Sequence, residues 1–343
     1  MYERDSDLLQ LDSRPRHRRR LQPAHSLPEQ VCQEIHQAKT RIYRLAGPTP
    51  LLGMKHPSGA SFYLKREDLS PVHSYKWRGA MNRLAQLAGQ ECQHVVCASA
   101  GNHSQGVALA SQVLGMRATI FMPLSAQELK VQQTRKLLGE RGEVVLVGKT
   151  FDDALLAAQQ HAEEVGAVFI PPFDDVQVIA GQGTIGLEIL QACPHPGTVY
   201  LQIGGGGMAA GVACALKAAD PNIRIVGVEA EHQASMAAAM NAGEPVLLNQ
   251  IDHFCDGTAV RQAGKLTHAL CSELLDGIVT VSNDEVRSAI RFLWEDQRIV
   301  PEPSGAMGLA ALLRETDPRH IENAVVIMSG SNMDFSRLVA LAG

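Results

Sequence analysis

Beyond about residue 43 the chain alternates between two hydrophobic rhythms. Short runs rich in Val and Ile, apolar at nearly every position, lie at Phe62–Lys65, His94–Ala98, Ala118–Met122, Glu143–Val147, Val168–Ile170, Val199–Ile203, Arg224–Glu229, Ile278–Val281 and Ala324–Met328. Between them stand longer stretches with apolar residues at every third or fourth position: Lys76–Leu87, Ser104–Leu114, Gln127–Leu138, Phe151–Val165, Ala209–Ala219, Asp284–Asp296 and Gly305–Leu313. The first pattern suits strands buried on both faces, the second amphipathic helices. Their alternation predicts an α/β fold of parallel sheets covered by helices on both sides. Strands between residues 94 and 171 form one group and the remainder another. Two lobes are therefore expected: a large one from residues 43–93 and 172–343, and a small one from residues 94–171. A cleft between two such lobes is a favoured ligand site. No internal repeat interrupts the pattern.

Residues 1–42 read differently. Met1–Asp12 is acidic and polar, and Arg14, Arg16, Arg18, Arg19 and Arg20 crowd around Pro15 and His17. No apolar core follows the arginines, as a secretory signal needs, and Glu3, Asp5, Asp7 and Asp12 do not belong in an organellar presequence. The expectation is a mobile, solvated tail over 1–42, with organellar targeting or an anionic partner as alternatives. Among 343 residues, 31 Lys and Arg face 36 Asp and Glu, so a net charge of −5 draws in neither nucleic acid nor membrane. Eight Phe, five Tyr and two Trp give few platforms for stacking nucleobases. No stretch approaches the roughly 18 uncharged apolar residues that span a bilayer. Seven cysteines, an odd number without zinc-knuckle spacing, predict reduced and mostly buried thiols in the cytoplasm.

Four segments carry candidate chemistry. Gly204-Gly205-Gly206-Gly207-Met208 follows a strand directly and opens a helix at Ala209. Backbone without Cβ atoms, with free N–H groups at a helix start, forms a cradle suited to phosphate. No Lys-Ser or Lys-Thr follows, so it is not a nucleotide P-loop. A dinucleotide site and a plain tight turn stay open, the first because Glu229 ends the next strand 22 residues after Gly207.

Lys76 lies between Tyr75 and Trp77 at a helix start, with Arg78 two residues on. Apolar neighbours and a like charge both lower a lysine pKa and favour the neutral amine that forms a Schiff base. An ordinary solvated lysine is the alternative. Ser99-Ala100-Gly101-Asn102-His103-Ser104 sits at the carboxyl end of a strand, where parallel sheets bind ligands. Ser99, Asn102 and the loop N–H groups suit a carboxylate or ring hydroxyl; alternatively Ser99 or Asn102 caps the helix. His103 alone reads as structural. Ser329-Gly330-Ser331-Asn332 follows the last apolar strand, as a turn or as a hydroxyl at the sheet edge that carries the glycine run.

These segments do not stand alone. With Thr49-Pro50-Leu51, Lys65-Arg66-Glu67-Asp68, Pro71–Ala80, Pro171–Thr184, Val228–Glu231 and Glu302–Ala306, the chain resembles the fold-type-II pyridoxal-phosphate enzymes. The resemblance is strongest to the catalytic module of the threonine dehydratases (threonine ammonia-lyases) and runs in unbroken order from about residue 43 to 340. It implies a tryptophan synthase β-like architecture: two open parallel-sheet α/β lobes with pyridoxal 5'-phosphate in the cleft. It implies Lys76 as the Schiff-base lysine and proton carrier, and Asn102 on the ring hydroxyl. It puts Gly204, Gly205, Gly206, Gly207 and Met208 on the phosphate and Ser329 at the pyridine nitrogen. Ser99, Ala100, Gly101 and His103 would surround the substrate, with Tyr75 and Glu302 in support. The implied reaction turns L-threonine into 2-oxobutanoate and ammonia, and L-serine more slowly into pyruvate. A homo-oligomer, dimer or tetramer, is implied likewise.

Departures bear on specificity. Tyr75 stands where the family usually has Phe, Trp77 where a smaller aliphatic is common, and Asp256-Gly257-Thr258 where acidic-Gly-Val is typical. Eukaryotic serine racemases have a serine at the position of Ala100 and an acid at that of Ser235, so neither racemisation nor a divalent metal is expected, although Glu229 is retained. Because the chain ends at Gly343, a C-terminal regulatory domain with isoleucine control is not expected. Rival readings are a lyase for serine or hydroxyaspartate, an NAD-dependent oxidoreductase built on the glycine run, and a non-catalytic metabolite sensor.

Overall fold

The computed structural model describes residues 26–342; the acidic and Arg-rich stretch lies outside them. In chain order the strands are β1 (Leu51–Lys55), β2 (Ser61–Arg66), β3 (His94–Ala98), β4 (Arg117–Met122), β5 (Gly142–Leu146), β6 (Val168–Phe169), β7 (Thr198–Gln202), β8 (Arg224–Ala230), β9 (Gly277–Val281) and β10 (Ala324–Met328). The helices are α1 (Leu27–Ile42), α2 (Lys76–Ala88), α3 (Asn102–Leu114), α4 (Glu128–Leu138), α5 (Phe151–Val165), α6 (Val176–Ala192), α7 (Gly207–Ala219), α8 (Ser235–Ala242), α9 (Lys265–Leu274), α10 (Asn283–Gln297), α11 (Pro303–Leu313), α12 (Pro318–Ile321) and α13 (Phe335–Ala342).

Six strands form one sheet in the order β1-β2-β10-β7-β8-β9, and four form another in the order β5-β4-β3-β6. Neighbours run parallel except β1 and β2, an antiparallel pair at the edge of the larger sheet. Every expected strand is present to within a residue or two. β1 was not expected: only Met54 is buried there, and an edge strand has no continuous apolar run to betray it.

Alternation along the strands sets the layers. Val199, Leu201, Val325 and Ile327 face a core shared with α1, α6, α7 and α9, while Tyr200, Val326 and Met328 face α10 and α11. In the small sheet, Val96, Ala98 and Phe121 pack on Ala154, Ala158 and Ala162 of α5. Val95, Cys97, Ile120 and Met122 join the first core through α2 and α3, so one apolar body links both sheets and fixes the cleft between them.

The expected tail boundary at residue 42 falls too late. α1 opens on a capping box between Ser26 and Glu29, with Pro28 in its first turn. Val31, Ile35, Ala38 and Ile42 form its buried stripe. Ile35 lies so close to Gly183 of α6 that a Cβ there would collide with it. Among the described residues no helix is long and apolar enough to cross a membrane.

Candidate active site

Lys76 is the first residue of α2, and the end of β10 holds the segment that leads into it. Ser74 bridges to Gly330, and the Tyr75 N–H donates to the Ser329 carbonyl at 3.0 Å. Further along, Arg78 pins the helix: its guanidinium, fully buried, donates to Glu67 after β2 at 2.8 Å and to Glu188 of α6 at 2.6 Å. The Lys76 amine donates to the Pro172 carbonyl at 2.8 Å. Phe173, the next residue, lies against the glycine run: a Cβ on Gly205 would run into its ring, and one on Gly207 would stand 3.0 Å from its Cα. Amine and glycine run thus meet across two consecutive residues.

Lys76 is only partly accessible. Burial lowers its pKa from 10.5 to about 8, against the pull of Glu302. Arg78, expected to push the amine down, takes no part in this shift, because its charge is spent on Glu67 and Glu188. The Tyr75 ring lies 5.4 Å from the amine.

The loop after β3 does not cap α3 with a side chain. Gly101 holds the cap position, Asn102 is the first helical residue, and Ser99 Oγ accepts the Gly101 N–H at 3.2 Å. The Asn102 amide is engaged elsewhere: it donates to Glu302 Oε1 at 2.8 Å and accepts from Asn332 Nδ2 at 2.8 Å. A Cβ on Gly101 would meet nothing within 4 Å, so this backbone faces open space. One turn on, Gly106 lets α3 approach the Lys76 carbonyl, which a Cβ would meet at 3.0 Å. Glu302 is buried, and its pKa is raised to about 7 by that burial and by Asp256, with the Asn102 bond opposing. His103, named by the resemblance among the substrate residues, is buried and donates Nε2–H to the Ile170 carbonyl at 3.0 Å. Burial and the Lys76 charge drop its pKa to about 3, so it is a neutral brace on the end of β6.

In the glycine run, Gly206 has φ +93°, a left-handed conformation that disfavours any side chain. Thr267 donates Oγ1–H to the Gly205 carbonyl at 2.6 Å and holds the loop from behind. No side chain caps α7, so its first N–H groups remain for a ligand. Glu229 cannot serve a ribose: it is fully buried, and its two oxygens accept the Met236 and Ala237 N–H groups at 2.8 Å each. That removes the dinucleotide reading. A cavity of about 290 Å³ beside Asn332, lined among others by His73, Leu129, Lys130 and Gln133, opens at the cleft mouth.

A family model for pyridoxal-phosphate dependent enzymes matches residues 42–330. The chain belongs to the pyridoxal-phosphate dependent enzymes. Within that family, a biosynthetic L-threonine dehydratase from Haemophilus influenzae is 45% identical over 305 residues, covering 87% of this chain and 59% of that protein. The chain spans less than two thirds of the length of such curated relatives. The processed form of threonine deaminase isoform 2 from Solanum lycopersicum has a similar structure, with TM-score 0.84 and 40% identity over 91% of this chain and 92% of that one. Maize serine racemase follows at TM-score 0.83 and 31% identity, over 90% of this chain and 95% of its own.

The residues present fit the family's cofactor. A desolvated lysine amine, an uncapped glycine nest that a Cβ at any of its four positions would crowd, and a half-buried amide at Asn102 surround one cleft. Ser329 is buried at the end of β10 beside Tyr75. Pro172, Phe173 and Thr267 were not anticipated as site residues: Pro172 acts through its backbone carbonyl, Phe173 through its ring and Thr267 through its hydroxyl.

Proposed function

We propose that the chain is a pyridoxal-phosphate dependent ammonia-lyase that converts L-threonine into 2-oxobutanoate and ammonia, and L-serine more slowly into pyruvate. The observation that carries this reading is the Lys76 amine, lowered to about 8 and held one residue from the glycine nest. Bound in the cleft, pyridoxal phosphate supplies an electron sink that acidifies the α-proton of an amino acid.

This chain's residues do the rest. The N–H groups at Gly204 to Met208 hold the phosphate. Asn102 Nδ2–H serves the ring oxygen, and Ser329 stands at the pyridine nitrogen, where a hydroxyl cannot protonate as an aspartate would. Ser99 and the N–H groups about Gly101 take the substrate carboxylate. Lys76, neutral in a substantial fraction near pH 8, accepts the α-proton at Nζ. The β-hydroxyl leaves with a proton as water, and a water returned in hydrolysis releases ammonia and the oxoacid. Ala100 offers no hydroxyl for a second proton carrier, which favours elimination over racemisation. The relatives' names support threonine as substrate and a biosynthetic role, read here as the supply of 2-oxobutanoate toward isoleucine. Seven free cysteines support a reducing, cytoplasmic setting, and a homo-oligomer completes the reading.

The test is oxoacid formation by the purified protein over L-threonine, L-serine and β-hydroxyaspartate, with the visible spectrum recorded. Threonine is expected to turn over fastest, with a coloured band that borohydride bleaches and Lys76→Ala lacks. A colourless protein, or a preference for hydroxyaspartate, overturns the proposal.

A further inference from the structure

Asn332 sits between β10 and α13 and reaches two partners with one nitrogen. Its Nδ2 lies 2.7 Å from the Val72 carbonyl oxygen and 2.8 Å from Asn102 Oδ1. A main-chain carbonyl can only accept, so the atom facing Val72 must be the amide NH2. The second hydrogen of that NH2 goes to Asn102, whose facing atom must then be its oxygen. The Asn102 NH2 is left on the other side, 2.8 Å from Glu302 Oε1. The Val72 carbonyl at one end and the Glu302 carboxyl oxygen at the other therefore set the same polarity along the row Val72–Asn332–Asn102–Glu302.

The row also crosses the cleft. Asn102 begins α3, which follows a strand of the small sheet, whereas Glu302 and Asn332 flank the carboxyl end of the large one. Those two flanking segments are tied together, since the Glu302 N–H donates to the Gly330 carbonyl at 3.1 Å. A terminal amide torsion is broad and nearly two-fold, so only its partners decide which end of Asn102 faces which way.

We infer that Asn332 is a positioning residue, which holds Asn102 so that its NH2 rather than its carbonyl oxygen faces the ring oxygen of bound pyridoxal phosphate. The inference rests on the proposed binding of that cofactor. Without Asn332, the Asn102 amide keeps only its bond to Glu302, one of the two partners that set its orientation, and turns over more readily to present an acceptor to an acceptor.

The experiment is a double-mutant cycle on cofactor affinity. The protein is stripped of pyridoxal phosphate, and the cofactor is titrated back by its visible absorbance into the wild type, Asn332→Ala, Asn102→Ala and the double variant. Asn332→Ala is expected to weaken binding about fivefold when Asn102 is present, the size of one hydrogen bond, and less than about twofold when Asn102 is already alanine. An equal loss in both backgrounds would show that Asn332 serves only the fold, and no loss with Asn102 present would show that it serves nothing here; either result overturns the inference. Should Asn332→Ala not fold, the near-isosteric Asn332→Asp runs the same cycle, because a carboxylate repels the Val72 carbonyl and invites the Asn102 NH2 to turn. A wild type that takes up no borohydride-bleachable cofactor would instead sink the functional reading itself.

Discussion

The Lys76 amine stands 2.8 Å from the carbonyl of Pro172, whose successor Phe173 packs on the glycine nest. A dipole so placed steadies an ammonium but does not replace the water it has lost, and burial wins: the pKa falls from 10.5 to about 8. Only the neutral amine attacks an aldehyde. The rate at which the cofactor-free chain captures pyridoxal phosphate should therefore rise with pH around a midpoint near 8. Stopped-flow absorbance across pH 6–10 measures it, and a midpoint near 10 would contradict the burial argument.

The same desolvation predicts a stability cost in the cofactor-free chain. Below about pH 8 the lysine is charged in both folded and unfolded states, and the folded state bears the penalty in full. Between 8 and 10.5 the folded chain sheds the proton that the unfolded chain keeps, so stability rises with pH. Above that window the difference is gone. Lys76→Met should raise the melting temperature by about 2–4 °C at pH 7 and by much less at pH 10.5. A variant that melts lower at pH 7 would show that the amine's contacts outweigh its desolvation.

Much of this was legible in the sequence, for reasons that differ by residue. Strands such as Thr198–Gln202 and Ala324–Met328 show because burial on both faces demands unbroken apolar runs. Lys76 and the glycine run show because no other residue types supply an amine and a Cβ-free backbone. α1 was hidden: its four buried positions are scattered among Gln, Glu, Lys and Arg, so the segment reads as solvated. Pro172 was hidden because it contributes a carbonyl, which every residue owns. Arg78 was misread because its charge looked free beside Lys76, and only the fold brings Glu67 and Glu188 to it.

Gly206 cannot change without cost. Its φ of +93° is joined by a tight fit, since an added Cβ would stand 2.8 Å from Thr267 Cβ. Gly206→Ala should destabilise the fold by about 1–3 kcal/mol. Gly205→Ala strikes the Phe173 ring, and moving Phe173 moves Pro172; cofactor affinity should fall at least about tenfold, the effect of a lost phosphate cradle. Urea unfolding and a cofactor titration separate the two outcomes. Unchanged affinity in Gly205→Ala would detach the glycine run from the cofactor.

Beneath α2 lies a buried cluster in which Lys65 and Arg78 meet Glu67 and Glu188. Burial pushes Glu188 up, but Arg78 and Lys65 hold it below its ordinary 4.5. Its contribution is thus present above pH 4.5 and lost as pH falls through the lower, folded value. Glu188→Ala leaves two buried cations with one carboxylate, and should cost about 3–5 kcal/mol in urea unfolding at pH 7. A loss below about 1 kcal/mol would mean the pocket hydrates freely and the cluster does not anchor α2.

Asp256 joins three elements at the cleft mouth. Its Oδ2 accepts from Lys130 of α4 at 3.1 Å, and its Oδ1 lies 3.0 Å from Arg337 of α13. Next to it, Gly257 brings the turn within 3.3 Å of Glu302 Oε1, measured from where a Cβ would stand. The two ion pairs are partly exposed, so each is worth about 0–1 kcal/mol to the fold, and Asp256→Asn should melt within about 2 °C of the wild type. The contact with α4 nonetheless crosses between the sheets, so its loss should loosen closure over a bound amino acid. KM should rise about threefold with kcat little changed, and high salt, which shortens screening to about 3 Å at 1 M, should raise KM in the wild type but not in Asp256→Asn. Asp256 also helps hold the Glu302 pKa up at about 7, while Lys130 and Arg337 pull it down. Removing the carboxylate should therefore move any activity limb near pH 7 to lower pH. An equal response of both proteins to salt, with an unmoved limb, would place Asp256 outside the closing of this cleft.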